Sequence, residues 1–116
     1  MFPGSPGSDQ ILASTVTATG TMITIPAGML FSGNLTVAAS SAVAGTSTVT
    51  VSTAGTNVAP AAGVIARVSV TGLLASAGAD SYNTEIIVKA PPENSVTLTA
   101  SVTGTGSASV IGWYTS

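Results

Sequence analysis

The sequence of 116 residues contains no cysteine and no histidine, and only six of its residues are charged. A typical soluble domain is about a quarter charged. Without histidine and cysteine the chain lacks the commonest general base, the thiolate nucleophile and the usual ligands of transition metals. The composition therefore argues against most enzymatic chemistry, and we expect a protein that is not an enzyme and holds no cofactor and no metal.

Two further absences exclude whole classes of partner. The basic residues are Arg67 and Lys89 alone, too few for the cationic patch that follows a phosphate backbone, so we expect no nucleic-acid binding. No apolar run approaches the 18 or so residues of a membrane-spanning helix, so we expect no membrane partner. Residues 1–8 lack the basic and apolar regions of a signal peptide, which together with Met1 predicts a protein made in the cytoplasm.

Hydroxyl groups take the place of charge in this sequence. Serine and threonine together number 34, and alanine accounts for 18 of the 52 hydrophobic residues. Leucine, isoleucine, valine and phenylalanine number 28, which is enough to form a core. Because alanine buries little area, that core is expected to be thin, and contacts with other copies of the chain would add burial. We therefore expect a homo-oligomer.

From residue 11 onward apolar residues alternate with serine and threonine, the pattern of half-buried strands. Segments rich in proline and glycine interrupt this alternation every 10–15 residues or so, with breaks predicted at 26–28, 44–45, 54–55, 60–63, 78–80, 91–94 and 104–106. This spacing predicts an all-β protein, an antiparallel β-sandwich of about eight strands resembling a jelly roll. The residues predicted to form its core are Val49, Val51, Val68, Val70, Val88, Val96 and Leu98.

The alternation also makes finer predictions. It places Ile23 and Ile25 on the inner face of one strand with Met22 on the opposite face, and it places Val64 inside with Ala66. The same reasoning puts Glu85 and Lys89 on a polar strand face, where they are expected to pair across strands with Arg67.

The chain divides into an extended arm rich in proline and glycine at residues 1–10 and a single sandwich domain at residues 11–116. The arm begins with an apolar tip, Met1, Phe2 and Pro3, which we predict to bind a partner. Trp113 and Tyr114 are adjacent in a predicted strand, so one is expected to enter the core and the other to be exposed. Since exposed aromatic residues often anchor interfaces, this pair is also predicted to bind a partner.

The carboxylates are too scattered to predict a catalytic or calcium site. Catalysis by paired carboxylates needs two of them a few ångströms apart across a cleft, and calcium needs several oxygen ligands close together. No Asp-x-Asp spacing occurs, and the acidic residues are expected to lie in the arm, in loops and on a strand face. They are Asp9, Asp80, Glu85 and Glu93.

One segment resembles a known class of proteins. The stretch 23–28, Ile-Thr-Ile-Pro-Ala-Gly, followed by Leu35-Thr36-Val37, is similar to an opening that recurs in small β proteins of tailed-bacteriophage particles. The alanine-, threonine- and serine-rich composition resembles that of phage capsid decoration (cement) proteins. The resemblance implies a trimer that binds the major capsid protein on the outer capsid surface, stabilises the head and is made in the host cytoplasm. It assigns no individual site residue.

A recognition module is the alternative. Threonine at alternate positions, as at Thr97 and Thr99, would form a flat array of hydroxyls on one sheet face. Such an array suits an ice-binding surface, and a β-sandwich could equally be a carbohydrate-binding or adhesin domain. Sugar sites usually present exposed aromatic residues, of which the chain has five in all. An ice-binding protein would keep these hydroxyl faces exposed, whereas an assembly protein would bury part of them.

Overall fold

The computed structural model describes residues 10–41, 45–55, 62–72 and 78–115, which contain eight strands and no helix. The prediction of an all-β chain with about eight strands is confirmed. Residues 1–9, which include Met1, Phe2, Pro3 and Asp9, lie outside the described residues. The strands are β1 Gln10–Val16, β2 Gly20–Ile25, β3 Leu30–Ser41, β4 Thr46–Ala54, β5 Gly63–Thr71, β6 Gly78–Lys89, β7 Val96–Thr103 and β8 Thr105–Thr115.

The strands form two antiparallel sheets of four that pack face to face. Sheet I has the order β1-β8-β3-β6 and sheet II the order β2-β7-β4-β5. Successive strands cross from one sheet to the other except between β4 and β5, so every neighbour in sheet I comes from a distant part of the chain. This strand order is that of a jelly roll, in agreement with the prediction.

The core fills the space between the two inner faces, because alternate residues of every strand point inward. All seven residues predicted for the core are buried. The largest fully buried side chains are Phe31, Leu35 and Val37 from sheet I and Ile25 and Leu98 from sheet II. The alternation therefore assigned the buried face of the long regular strands correctly.

Two bulges shift the alternation in the edge strands of sheet II. Thr21 and Ile23 pair with consecutive residues of β7, so Met22 is an extra residue, and both Met22 and Ile23 are buried. In β5 the extra residue is Ile65, and beyond it Val64 is 63% exposed. The predicted outward position of Met22 and inward position of Val64 are thus wrong. Met22 is itself the inserted residue and is buried beside Ile23, and the inserted Ile65 reverses the facing of Val64, which precedes it.

Most of the predicted breaks between strands are confirmed; residues 44, 60 and 61, which belong to two of them, lie outside the described residues. At Pro26–Gly28 a turn is closed by the Met29 amide, which donates to the Pro26 carbonyl at 3.1 Å, and Gly28 has a φ of 79°. Gly104, with a φ of 82°, separates β7 from β8. The break predicted at 78–80 is wrong, since β6 begins at Gly78 and its first three residues pair with the end of β3.

Candidate assembly surface

Three large apolar side chains lie on the outer face of sheet I. Trp113 of β8 and Ile87 of β6 are both opposite Ser32 of the intervening strand β3, and Ile111 is the next outward residue along β8. Ile87 is 61% exposed, Ile111 57% and Trp113 48%. These three residues, here called the apolar corner, lie toward one end of a face whose other residues are mostly polar, with exceptions that include Leu30 and the small Ala13 and Ala38. An exposed apolar cluster bordered by polar residues is typical of an interaction site.

A shallow cleft of about 220 Å³ separates Trp113 from Ile87. It exists because β3 carries the small Ser32 between two large side chains. The side chains of Ser32, Asn34 and Glu85 line this cleft and make no hydrogen bond within the described part of the chain. The cleft therefore offers a partner two apolar walls with hydrogen-bonding groups between them.

Trp113 and Tyr114 face opposite sides of sheet I, as predicted. Tyr114 is buried against Phe31, with the two rings edge to face and their centroids 5.8 Å apart. Its hydroxyl donates to the Thr24 carbonyl at 2.8 Å, which ties sheet I to sheet II, and burial raises the pKa of this hydroxyl above 10.0. Tyr114 is thus a structural anchor that holds β8 in place, and of the two aromatic residues it is Trp113 that a partner can contact directly.

Beside the apolar corner, hydroxyl and amide groups pair with one another across the strands of sheet I. One row crosses all four strands, from Thr15 through Ser109 and Thr36 to Asn83. The Thr15 and Ser109 hydroxyls are 3.1 Å apart, and the Asn83 amide donates to the Thr36 hydroxyl at 2.6 Å. These internal pairs leave fewer free donors and acceptors here than around Trp113.

The outer face of sheet II is covered with hydroxyl groups. Thr48 pairs with Thr103 and Ser69, and its hydroxyl lies 3.1 Å from that of Ser69. Arg67 is the single charged residue on the strands of this sheet, all of which are described. The hydroxyl residues of this face are Thr21, Thr24, Thr46, Thr48, Thr50, Ser52, Ser69, Thr71, Thr97, Thr99, Ser101 and Thr103.

Strand charges are confined to one side of the molecule. Arg67 lies on β5, while Asp80, Glu85 and Lys89 lie on β6. Glu85 is on the outer face of sheet I, opposite Asn34, whereas Arg67 is on the outer face of sheet II. The predicted pairing with Arg67 is therefore wrong, since the two charges lie on opposite outer faces. The Lys89 ammonium instead donates to the Gly28 carbonyl at 3.2 Å.

The carboxylates do not converge. Asp80 accepts a hydrogen bond from the Ser81 amide at 2.8 Å, Glu85 borders the cleft, and Glu93 is in the loop after β6. Among the described residues no three metal-ligating side chains come together. The described residues also contain no helix that could span a membrane.

Comparisons of the chain with protein-family models, with curated proteins and with solved structures find no match. The surface must therefore be interpreted from its own chemistry. Sequence reasoning found Trp113 but missed Ile87 and Ile111. The available signal was that both occupy outward positions of strands whose alternation was otherwise clear, where a hydroxyl or charged residue is the norm in this chain.

Proposed function

We propose that this protein is a non-enzymatic structural protein of a virus particle, a decoration protein that binds the outer surface of the capsid and stabilises the head. The single observation that carries the proposal is a jelly roll with nearly uncharged outer faces and one exposed apolar corner. Jelly rolls occur in viral capsid proteins and in lectins, so the fold favours these classes but does not choose between them. The resemblance of residues 23–37 to small phage virion proteins supports the first.

The apolar corner is the surface proposed to contact the major capsid protein. Burying Trp113 and Ile87 against a partner removes apolar area from water, at about 25 cal/mol per Å². Among the described residues Glu85 is the one charged residue that lines the cleft, so a partner that covers this surface must satisfy a single carboxylate when it is desolvated. Ser32 and Asn34 supply hydrogen bonds that fix the orientation of the partner. Tyr114 contributes by holding β8, and therefore Trp113, in position.

Two further contacts belong to the proposal. The apolar tip Met1, Phe2 and Pro3 is proposed to bind the capsid or a neighbouring copy, since it would otherwise leave Phe2 in water. The chain is also proposed to form a homo-oligomer, which the resemblance implies to be a trimer. Its support is a core in which Ala39, Ala66, Ala90, Ala100 and Ala108 occupy buried positions, each of which contributes little buried area.

Cosedimentation of the purified protein with capsids of the virus that encodes it tests the proposal. We expect the wild-type chain to sediment with capsids and to raise the temperature at which they open. Trp113→Ala should weaken binding at least tenfold, while Thr50→Ala, on the opposite outer face, should leave it unchanged. Failure of the wild-type chain to bind, or equal binding by the two variants, would contradict the proposal.

One observation favours a second candidate, a recognition module that binds through sheet II. Twelve hydroxyl residues cover the outer face of this sheet, with Thr97, Thr99, Ser101 and Thr103 in alternate positions along a single central strand. A surface of this kind could order water or ice. Measurement of thermal hysteresis would identify it: activity that is lost in Thr99→Lys and kept in Trp113→Ala would favour this candidate over capsid binding.

A further inference from the structure

The four edge strands of this jelly roll differ in how they resist pairing with another chain. An edge strand presents unpaired backbone N–H and C=O groups, and natural proteins protect such edges with charges, bulges or proline. In sheet II, β2 has a bulge at Met22, and β5 has both a bulge at Ile65 and the charge of Arg67. In sheet I, β6 carries Asp80, Glu85 and Lys89.

The remaining edge, β1, has none of these features. Its seven residues, Gln10–Val16, include no charge and no proline, and they pair with β8 without any shift in register. Within the described part of the chain no strand pairs with its other side. Of the four edges, β1 is therefore the one left open to strand addition.

We propose that a second copy of this chain binds along β1, with the two β1 strands antiparallel and sheet I continuing across both molecules as eight strands. An antiparallel pair of identical strands is related by a two-fold axis, so each residue must be compatible with its own copy or with a near neighbour. An edge without charge meets this condition. On β6, by contrast, antiparallel pairing centred on Glu85 would place the two Glu85 carboxylates opposite each other.

The position of Ala13 supports a second copy as the occupant. Ala13 is exposed, lies opposite Ile111 on the outer face and is the central residue of β1. With the two-fold axis at Ala13, its small side chain meets its own copy without a clash. One row then runs from Ile111 through both Ala13 residues to the second Ile111, so the apolar corners of the two molecules become neighbours on one face.

This association does not depend on binding to a capsid, so its failure and the failure of the proposed function are distinguishable. Two-fold pairing along β1 is complete when two chains have joined, so it gives a dimer, whereas the resemblance implies a trimer. Sedimentation of the full chain in buffer without capsids, over a range of concentrations, measures it directly. We expect a monomer–dimer equilibrium for the wild-type chain.

Ala13→Lys places two ammonium groups opposite each other at the dyad, and like charges in this position destabilise a strand pair. We expect its dimerisation to weaken several-fold, up to about fivefold. The matched control is Ser81→Lys, which adds the same charge at an exposed position of β6 and should dimerise like the wild type. Mixing Ala13→Lys with Ala13→Glu should restore a mixed dimer, a result that misfolding of either variant would not give.

Hydrogen exchange on the wild-type chain provides a second measurement. Protection of the β1 amides should rise with concentration through the dimer transition, while protection of the edge amides of β5 and β6 should not change. The proposal is overturned by a wild-type chain that stays monomeric at every concentration or by a trimer. It is also overturned if Ala13→Lys dimerises like Ser81→Lys, or if protection rises on β6 in place of β1.

Discussion

Truncation of Leu98 tests the inner face of sheet II most directly. Leu98 lies in the central strand β7, between Ile23 of β2 and Thr53 of β4, and none of its surface is exposed. Leu98→Ala removes three carbon atoms, and burial of each is worth about 0.8 kcal/mol, so the transfer term alone is about 2.4 kcal/mol. The cavity that remains adds to this, because neighbours in a β-sandwich relax only partly.

We therefore expect Leu98→Ala to lower the free energy of unfolding by about 3 kcal/mol, within the roughly 2–5 kcal/mol typical of such changes. For a chain of this size the melting temperature should fall by about 12 °C or more. Because domains of this kind are stable by about 5–15 kcal/mol, the variant should still fold and can be measured by denaturant unfolding.

Circular dichroism and the fluorescence of Trp113, the single tryptophan, can follow the transition at one fixed protein concentration. Thr99→Ala is the matched control, since Thr99 is the next residue in β7 and faces outward, and its effect should stay within about 0.5 kcal/mol. A loss below about 0.5 kcal/mol for Leu98→Ala would refute the assignment of the inner face.

Two further predictions concern sheet I. Burial raises the pKa of the Tyr114 hydroxyl from its ordinary value of 10.0. The contribution of this buried neutral hydroxyl to the free energy of unfolding is therefore fully present below pH 10. It is lost as the pH rises through the pKa of the folded protein, because the unfolded chain ionises first. Tyr114→Phe should lower stability by about 0.5–1.5 kcal/mol at neutral pH through the lost hydrogen bond, and should remove this part of the alkaline decline measured by unfolding at increasing pH. At Gly112 an added Cβ would lie 2.6 Å from the Gly33 Cα and 2.8 Å from the Phe31 ring, so Gly112→Ala should cost about 1–3 kcal/mol by thermal unfolding. Gly20→Ala, where an added Cβ meets nothing within 4 Å, should be neutral or slightly stabilising, and equal effects of the two substitutions would contradict this account.

The sequence predicted the fold class and most of the core because hydroxyl and apolar residues alternate so regularly here. In strands such as β4, Val49 and Val51 are separated by threonine, and a one-residue slip would expose every valine to water. Burial therefore determines the register of these strands. The opposite facings of Trp113 and Tyr114 follow from the same rule and were predicted for the same reason.

The predictions were wrong where the path of the backbone is determined by something other than the alternation of apolar and polar residues. The bulges at Met22 and Ile65 insert a residue without any change in composition, so a strict period of two misassigned Met22 and Val64. The break predicted at 78–80 relied on Gly78, yet glycine there lies where an added Cβ would be 2.8 Å from the Val70 side chain. Close packing of β6 against β5, and not a turn, is what that position requires.

The apolar corner could not be predicted from the sequence, because it depends on which strands become neighbours in the sheet. β8 and β6 are separated along the chain by all of β7, yet β3 brings Trp113 and Ile87 to either side of Ser32. Only the strand order of the jelly roll creates the cleft between them.

The same strand order explains how a chain with so few charges can present a defined surface. Hydroxyls at paired positions hydrogen-bond to one another across strands on both outer faces, Thr48 with Ser69 on sheet II and Thr15 with Ser109 on sheet I. The charges that remain in strands fall on β5 and β6, which are the edges on one side of the sandwich, because β1 and β2 form the edges on the other. Charge at an edge opposes strand addition, whereas charge on a central strand would add only solubility. A chain that places its scarce charges on one pair of edges is therefore protected on that side and left open on the other, where β1 offers unpaired backbone to a neighbour.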